Sequence, residues 1–365
     1  MASPCPILSC RPLFSSRIGH ESRRSTAAVH RSSNDRPLPH RLLLGKLEFP
    51  GIAVQAALSG YSDLPMRRVA RAHGCVYALH EVALDEHVLQ RGKGSARILQ
   101  VADDDHPVGG QLMGSQPELF ASAARRMLAA GYDVLDINFG CPVKKVLGRC
   151  RGGFLLSEPE TALEIVERVL EAAAGRVPVT VKMRRGFDEQ PGSEESFLQI
   201  LDGAFERGIA AATVHGRSVV QRYLGPSDWS FLQRLKQEYP QRRILGSGDL
   251  FSADDALRML LETGVDGVSL ARGCIGNPFL FRQIDALLHG RSIEAPSLFE
   301  QAAALRRHWR ESLAFYGPGR AVRKTRRHAI QYAQLHPDPE RARDCFARAK
   351  SPARFEEALD EVYGH

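Results

Sequence analysis

The sequence predicts an α/β fold: a closed (β/α)8 barrel of parallel strands followed by a small C-terminal helical domain. Three observations carry this expectation. Eight short apolar, strand-like runs alternate with amphipathic helical patterns over about 230 residues, which is the number and size of units a closed barrel needs. The G-x-G-x-x-G turn of a dinucleotide-binding open sheet is missing after the first run, which disfavours a doubly wound sheet. Beyond about Pro296 the strand signals stop and only helical periodicity remains.

In chain order the strand-like runs are Ile52–Ala56, Val76–Glu81, Val108–Leu112, Val134–Asn138, Val179–Met183, Ala211–His215, Arg243–Gly246 and Gly267–Ala271. Helical patterns fill the gaps, for example Pro117–Ala130, Pro159–Ala174, Glu195–Arg207 and Ser252–Thr263. The last opens on a Ser-x-x-Asp cap, whose side chains satisfy the first backbone N–H groups of a helix. Phe299–Phe315, Gly319–Leu335 and Pro339–Ala349 are expected to be helices of the appended domain. Residues 1–45 are rich in Ser, Arg and Pro without periodicity and are expected to be a disordered basic extension. A transit peptide would share that composition, but a basic tail or a start codon placed too far upstream is favoured. The expected divisions are therefore 1–45, a catalytic barrel over 46–295 and a helical domain over 296–365.

Composition narrows the class. Hydrophobic residues make up 43% of the 365 and charged residues 25%, as in soluble globular proteins. No apolar run approaches the roughly 18 residues of a membrane span, so no membrane association is expected. The seven cysteines form no CxxC pair and no zinc-like spacing, which points to no metal site and to a reducing, cytoplasmic setting. The net charge of +7 is uneven. Residues 302–350 hold twelve Lys/Arg against four Asp/Glu, and residues 1–45 hold seven against two. Basic flanks on a mildly acidic body suit a phosphate-rich partner, although a solvated Arg-rich helix surface has the same composition. No protein partner is implied.

In barrels of this class chemistry collects at the carboxyl ends of the strands. The residues falling there are Ala57 and Ser59, Glu81, Gln111, Asn138 and Cys141, Lys182 and Arg184, His215 and Arg217, Ser247 to Asp249, and Ala271 to Gly273. The seventh and eighth ends read GSGDLFS and ARGCIGNP. Gly-rich turns entering helices present backbone N–H groups to an anion, and these two loops are the usual phosphate site of the fold. Lys182 could form a Schiff base, set a positive charge against an electron-rich ring, or pair with a rim acid. His215 is either part of a ligand cradle or a hydrogen-bonded core histidine. With Gln111 and Asn138 these groups suit a planar polar ligand. Cys141 lies in a Gly-Cys-Pro turn just past a strand, so its thiol is expected at the pocket mouth. Two roles stay open for it: a nucleophile of depressed pKa aided by Lys144 or Lys145, or a proton donor.

Five blocks, DINFGCPVKKV…GGFLL, VTVKMRRG, ATVHGRSVVQRYLGPSDW, GSGDLFSADDA and SLARGCIGNPFLF, together resemble the tRNA-dihydrouridine synthase family, over roughly residues 51–335. The resemblance implies an FMN-binding TIM barrel with a helical tRNA-binding domain. NADPH would reduce FMN, and the flavin would pass hydride to C6 of a uridine flipped out of tRNA, in the D-loop region. By the same resemblance Cys141 protonates C5, and Ala57, Leu58, Ser59, Gln111, Lys182, His215, Ser247, Gly248, Asp249, Ala271 and Arg272 hold FMN. Asn138 would orient the uracil, Arg184 and Arg217 would contact tRNA or a phosphate, and Lys144, Lys145, Arg323, Lys324, Arg326 and Arg327 would contact tRNA. The chain departs from the family where Ala56-Ala57-Leu58 replaces Ala-Pro-Met. It departs again where RRHAIQY lacks the tryptophan that often precedes the tyrosine. The alternatives are an FMN barrel enzyme acting on a free small molecule, a tRNA binder without catalysis, and an aldolase-type barrel using Lys182.

Overall fold

The computed structural model describes residues 38–364. A hairpin comes first, β1 (Leu42–Leu44) and β2 (Leu47–Phe49), paired antiparallel around Gly45 at φ +58. The barrel strands are β3 (Ala53–Gln55), β4 (Tyr77–Leu79), β6 (Val108–Met113), β7 (Val134–Phe139), β8 (Val179–Arg184), β9 (Ala211–His215), β10 (Ile244–Ser247) and β11 (Gly267–Leu270). A two-residue β5 (Ala83–Leu84) extends the wall beside β6. Every neighbouring pair is parallel, and the β4–β6 and β3–β11 pairings close the ring. These are the eight runs read from the sequence, with ends moved by at most two residues.

The helices between strands are α1 (Leu64–Ala72), α2 (Asp85–Leu89), α3 (Lys93–Ile98), α4 (Pro117–Ala129), α5 (Lys144–Leu147), α6 (Pro159–Ala173), α7 (Pro191–Arg207), α8 (Trp229–Glu238), α9 (Ala253–Thr263) and α10 (Leu280–Leu288). Their starts follow local chemistry. The Asp63 side chain accepts from the Met66 N–H to begin α1, and Ser252 and Asp255 form the expected reciprocal box at α9. Helix α7 starts four residues earlier than its periodicity suggests, because Pro191 has the right φ for a first helical position and lacks only an N–H that needs no partner there.

One expectation is corrected. Residues 42–44 lie inside the stretch expected to be disordered, yet they form a strand with Leu42 and Leu44 buried. Together with Phe49 they pack on Val54, Tyr77, Val134, Ala211 and Leu245. Most of these begin their strands, so the hairpin plugs the amino-terminal end of the barrel. Residues 1–37 of that stretch lie outside the described residues.

The helical region contains α11 (Leu298–Tyr316), α12 (Pro318–Tyr332), α13 (Pro339–Arg348) and α14 (Pro352–Tyr363), the last not anticipated from sequence. It has its own core of Leu305, Trp309, Val322, Phe346, Phe355 and Leu359, to which the barrel contributes Val69 and Phe279. Burying each large side chain contributes about 2–3 kcal/mol, so this region is anchored by packing rather than hinged. Polar ties add direction: Arg68 pairs with Glu311 at 2.8 Å, and the Tyr316 hydroxyl donates to Asp63 at 2.7 Å. Beneath them Arg67, 1% exposed, grips Asp105 at 2.8 Å through Nε and donates to the Ser62 carbonyl at 2.7 Å.

Candidate active site

The parallel register sets the site. Asn138 on β7 pairs with Lys182 on β8, Arg184 with His215 on β9, and His215 with Ser247 on β10. These side chains therefore leave the barrel at similar heights on the carboxyl rim. They border an open cleft of about 340 Å³, completed by Ala56 to Ser59, Tyr61, Cys141, Tyr223, Gly248 to Phe251 and Ala271 to Gly273.

A buried relay fixes the loop that carries the thiol. Asp136, 4% exposed, accepts from the Thr180 hydroxyl at 2.5 Å and from Gln111 Nε2 at 2.6 Å. Gln111 Oε1 in turn accepts from Asn138 Nδ2 at 2.7 Å. That leaves Asn138 Oδ1 facing outward, where it accepts from the backbone N–H groups of Gly140 and Cys141, each at 3.0 Å. The carboxylate can only accept, so each amide downstream has one satisfied orientation. Burial pushes the Asp136 carboxyl up to about 6, opposed by Thr180, Gln111 and Lys182.

Cys141 sits at the end of that relay, half-buried at the cleft wall. Burial pushes its thiol above the ordinary range, while a hydrogen bond from Val143 and the charge of Arg184 pull the other way. The thiol is therefore protonated at neutral pH, which favours the proton donor over the thiolate nucleophile left open by the sequence. Lys144 and Lys145 are exposed on α5 and are not among the groups that shift the thiol.

Lys182 reaches across the cleft floor and donates to Ser247 Oγ at 3.1 Å. Burial lowers its ammonium to about 7, with Arg184 acting in the same direction and Asp136 against it. His215 is driven far below its ordinary value by burial, then by Lys182, Arg184, Arg217 and Arg272. Its Nδ1 accepts from the Arg217 backbone N–H at 3.1 Å, so the neutral ring carries its proton on Nε2. Lys182, Arg184, Arg217 and Arg272 all act on this imidazole, and Asp249 offsets Arg217 and Arg272 only in part, so this end of the cleft is positive and suits an anion.

At that end Gly248 has φ +114, and a Cβ there would stand 2.3 Å from Ser227 Oγ and 3.2 Å from His215 Nε2. Asp249 also has a positive φ, +57, and its carboxylate binds Arg217 Nη2 at 2.6 and 2.8 Å and the Ser227 N–H at 2.8 Å. Arg217 Nη1 is buried without a hydrogen-bond partner. Arg272 lies over Tyr223 at 4.6 Å and Phe251 at 5.2 Å.

Several expected site residues are placed differently. Gln111, expected against the cofactor, is 2% exposed and stands behind Asn138 with its amide consumed by the relay. Arg184 and Arg217, expected to touch tRNA or a phosphate, are each 3% exposed. Arg184 spends its donors on the carbonyls of Gly140, Ser218 and Arg222, at 3.0, 2.8 and 2.6 Å. Arg217 is committed to Asp249 and to the Gly225 carbonyl, at 3.0 Å through Nε. Both brace loops and leave no face for a polynucleotide. Glu81 turns away from the cleft toward Lys324, 3.6 Å away. On α12, Arg327 stacks on Tyr61 at 4.4 Å beside the cleft, and Arg323 and Lys324 line a groove next to Tyr316. Arg326 points the other way, to the Ala349 carbonyl at 3.3 Å. Sequence reasoning missed Asp136, Tyr61, Tyr223 and Phe251. Asp136 is an acid inside an apolar strand, a signal that could have been read; the other three stand in loops that carry no periodicity.

Fold and rim together define a (β/α)8 barrel with a cationic cleft at its carboxyl rim and a half-buried thiol at the cleft wall. A family model described as dihydrouridine synthase matches residues 54–364. The chain belongs to the dihydrouridine synthase family and is an oxidoreductase of that family. It is 30% identical over 322 residues to a probable tRNA-dihydrouridine synthase of Rickettsia conorii, covering 88% of this chain and 96% of that one. It is 32% identical over 333 residues to a protein of the same description from Mycobacterium tuberculosis, covering 88% and 85%. Among solved structures it is similar to morphinone reductase in complex with tetrahydroNAD, with TM-score 0.54 and 14% identity over 73% of this chain and 94% of that one. It is also similar to histamine dehydrogenase from Rhizobium sp. 4-9, with TM-score 0.55 and 15% identity over 74% of this chain; it spans about half, 50%, of that longer protein. At such identities the likeness is one of fold.

Proposed function

We propose that the protein is a cytoplasmic tRNA-dihydrouridine synthase that holds FMN, takes its electrons from NADPH and reduces the C5–C6 double bond of a D-loop uridine. The residues present suit a flavin mononucleotide. The positive end of the cleft matches a phosphate, the unpartnered Arg217 Nη1 supplies a buried donor there, and Gly248, at φ +114 and packed against Ser227 with no room for a Cβ, lets the turn take this shape. Ala57, Leu58 and Ser59 would flank the ring system, with Lys182 and the Nε2–H of His215 at its polar edge. The Ser247–Asp249 and Ala271–Arg272 turns would hold the phosphate. Bound there, FMN would supply the hydride that reaches C6 of the uracil.

This chain's own contribution is proton delivery and orientation. Cys141 holds its proton on sulfur at neutral pH and donates it to C5, so that hydride and proton together saturate one double bond. The Asn138 amide is fixed by Gln111 and Asp136, which in turn fixes the Cys141 backbone and the direction of the thiol. Exposed Lys144, Lys145 and Arg323, with Lys324 and Arg327, offer cations to the tRNA backbone near the cleft.

The observation that carries this reading is a half-buried thiol at the wall of the cleft that Lys182, His215, Arg184 and Arg272 also line. The test is incubation of bulk tRNA lacking dihydrouridine with the purified protein and NADPH, then mapping of modified positions. We expect dihydrouridine at D-loop positions. Cys141→Ala should keep flavin absorbance and NADPH oxidation yet lose product by about 100-fold or more. Full product from Cys141→Ala would remove the proton-donor role. Turnover of free uridine as fast as of tRNA would favour a small-molecule oxidoreductase instead.

A further inference from the structure

Away from the cleft, where the barrel meets the helical region, three side chains converge: Asp63 at the start of α1, His308 on α11 and His328 on α12. Each offers one ligand atom, and the three atoms lie within 4.8 Å of one another. Both histidines are 1% exposed and Asp63 is 4% exposed. The imidazole centroids stand 4.3 Å apart with the rings tilted by 52°. His308 Nε2 and both ring nitrogens of His328 are buried without any hydrogen-bond partner. Ser312, one turn beyond His308, and Thr325, one turn before His328, bury unpartnered hydroxyls on the same helix faces.

An unsatisfied buried polar group costs about 1–3 kcal/mol, and five such atoms in one seam between helices make a large penalty for a fold to carry. A group seated between the rings would partner the His308 nitrogen and one nitrogen of His328, and the donor set points to its kind. Two imidazoles and a carboxylate are the ligands of a borderline transition-metal ion. Asp63 is already oriented, since its Oδ1 accepts from the Met66 N–H at 3.1 Å and its Oδ2 from Tyr316 at 2.7 Å, and a carboxylate oxygen keeps a second lone pair. Asp63 and Glu311 supply negative potential at the seam, while Lys324 and Arg327 oppose it from α12.

We propose that Asp63, His308 and His328 bind one divalent transition-metal ion of the zinc class, which ties α1 of the barrel to α11 and α12. Zinc–ligand distances of about 2.0–2.1 Å place donors about 3.4 Å apart, so rotation of the two rings by roughly an ångström's travel completes the site. The ion closes a loop of more than 240 residues between Asp63 and His308, and so resists separation of the two regions. It also fixes His328, whose ring meets the edge of Tyr61 at 5.2 Å, and hence the side of the cleft on which Arg327 stacks.

The test uses the full chain, dialysed against a chelator and then loaded with zinc(II) alone; neither tRNA nor NADPH is present, so the outcome is independent of the proposed activity. We expect about one zinc ion per wild-type chain and at least a five-fold loss in His308→Gln/His328→Gln. The wild type should also unfold at a lower temperature after chelation and recover when zinc returns. Cobalt(II) in place of zinc should give the visible bands of a four- or five-coordinate site without the near-ultraviolet band of a thiolate ligand, which separates this site from one built on cysteine and does not depend on a variant that folds. Failure of the wild type to retain zinc, or equal retention by the double variant, would overturn the proposal and leave buried water as the occupant. A thiolate band on cobalt loading would overturn it as well.

Discussion

The relay from Asp136 to Cys141 has a direction, and reversing it tests whether the amide order matters. In Asn138→Asp the new Oδ1 still accepts from the N–H groups of Gly140 and Cys141, but the other oxygen meets Gln111 Oε1, now 2.7 Å from Asn138 Nδ2. If Gln111 flips, its Oε1 instead meets the Asp136 carboxylate, 2.6 Å from its present nitrogen. Either way two buried acceptors face each other, which at about 1–3 kcal/mol per unsatisfied group costs about 2–6 kcal/mol. Asp136→Asn alone should be nearly neutral, because its Oδ1 still accepts from Gln111 and its Nδ2 can donate to Thr180. Combining the two substitutions restores every bond in reverse. The carboxylate introduced on β7 accepts from Gln111 Nε2, and Gln111 Oε1 accepts from the amide that replaces the Asp136 carboxylate. The oxygen of that amide accepts from Thr180. Urea unfolding of the four proteins should therefore give a favourable coupling of about 1–3 kcal/mol. The Asn138→Asp deficit should also depend on pH. Asp136, with a folded pKa of about 6, becomes a donor to a flipped Gln111 once protonated. The deficit relative to wild type is then full above that pKa and shrinks as pH falls toward about 5. No such trend is expected in the double variant. Additive losses within about 0.5 kcal/mol, or a deficit independent of pH, would refute the directional relay.

Phe49→Ala should cost about 3–4 kcal/mol in the same unfolding assay, since the ring is 2% exposed and nothing nearby can refill the plugged barrel end; a loss below about 1 kcal/mol would mean that the hairpin does not seal it. Gly248→Ala should purify folded but with much less flavin absorbance, because its Cβ would fall 2.3 Å from Ser227 Oγ at φ +114; normal flavin content would place the cofactor phosphate elsewhere. Lys182→Met in the flavin-free protein should raise stability by about 2–3 kcal/mol near pH 6 while abolishing turnover. Its ammonium pKa is lowered to about 7 on folding from an unfolded value near 10.5, so the charged form is penalised in full below about pH 7. The gain fades as pH rises from there toward 10.5, and a gain that grew with pH would reverse the assigned cause.

The barrel was legible because eight strand-like runs recur between helical patterns at regular spacing, and because strand ends map to one rim. That mapping placed Asn138, Lys182, His215 and Ser247 correctly at the cleft. It failed for Gln111, because β6 continues to Met113 and Gln111 lies two residues below the end of its strand. For Arg184 and Arg217 it found the place and missed the use. Whether a guanidinium faces solvent depends on carbonyls that loops bring from elsewhere, and nothing local encodes that. The hairpin escaped notice because three-residue strands reading LLL and LEF are too short to show alternation. The convergence of Asp63, His308 and His328 has no local signal at all, since the first two stand 245 positions apart.

Arg184 fastens the thiol loop at Gly140 to the Ser218–Arg222 loop with a single side chain, and Tyr223 lies 5.4 Å beneath its guanidinium. The two loops are therefore not independent evolutionary units. An insertion in either would have to preserve the position of a carbonyl that the other also relies on, or strand a buried charge. Diversification of what enters this cleft should accordingly be concentrated in the helical region and the outer strand ends, while the Gly140 and Ser218–Arg222 loops vary in composition but hardly in length.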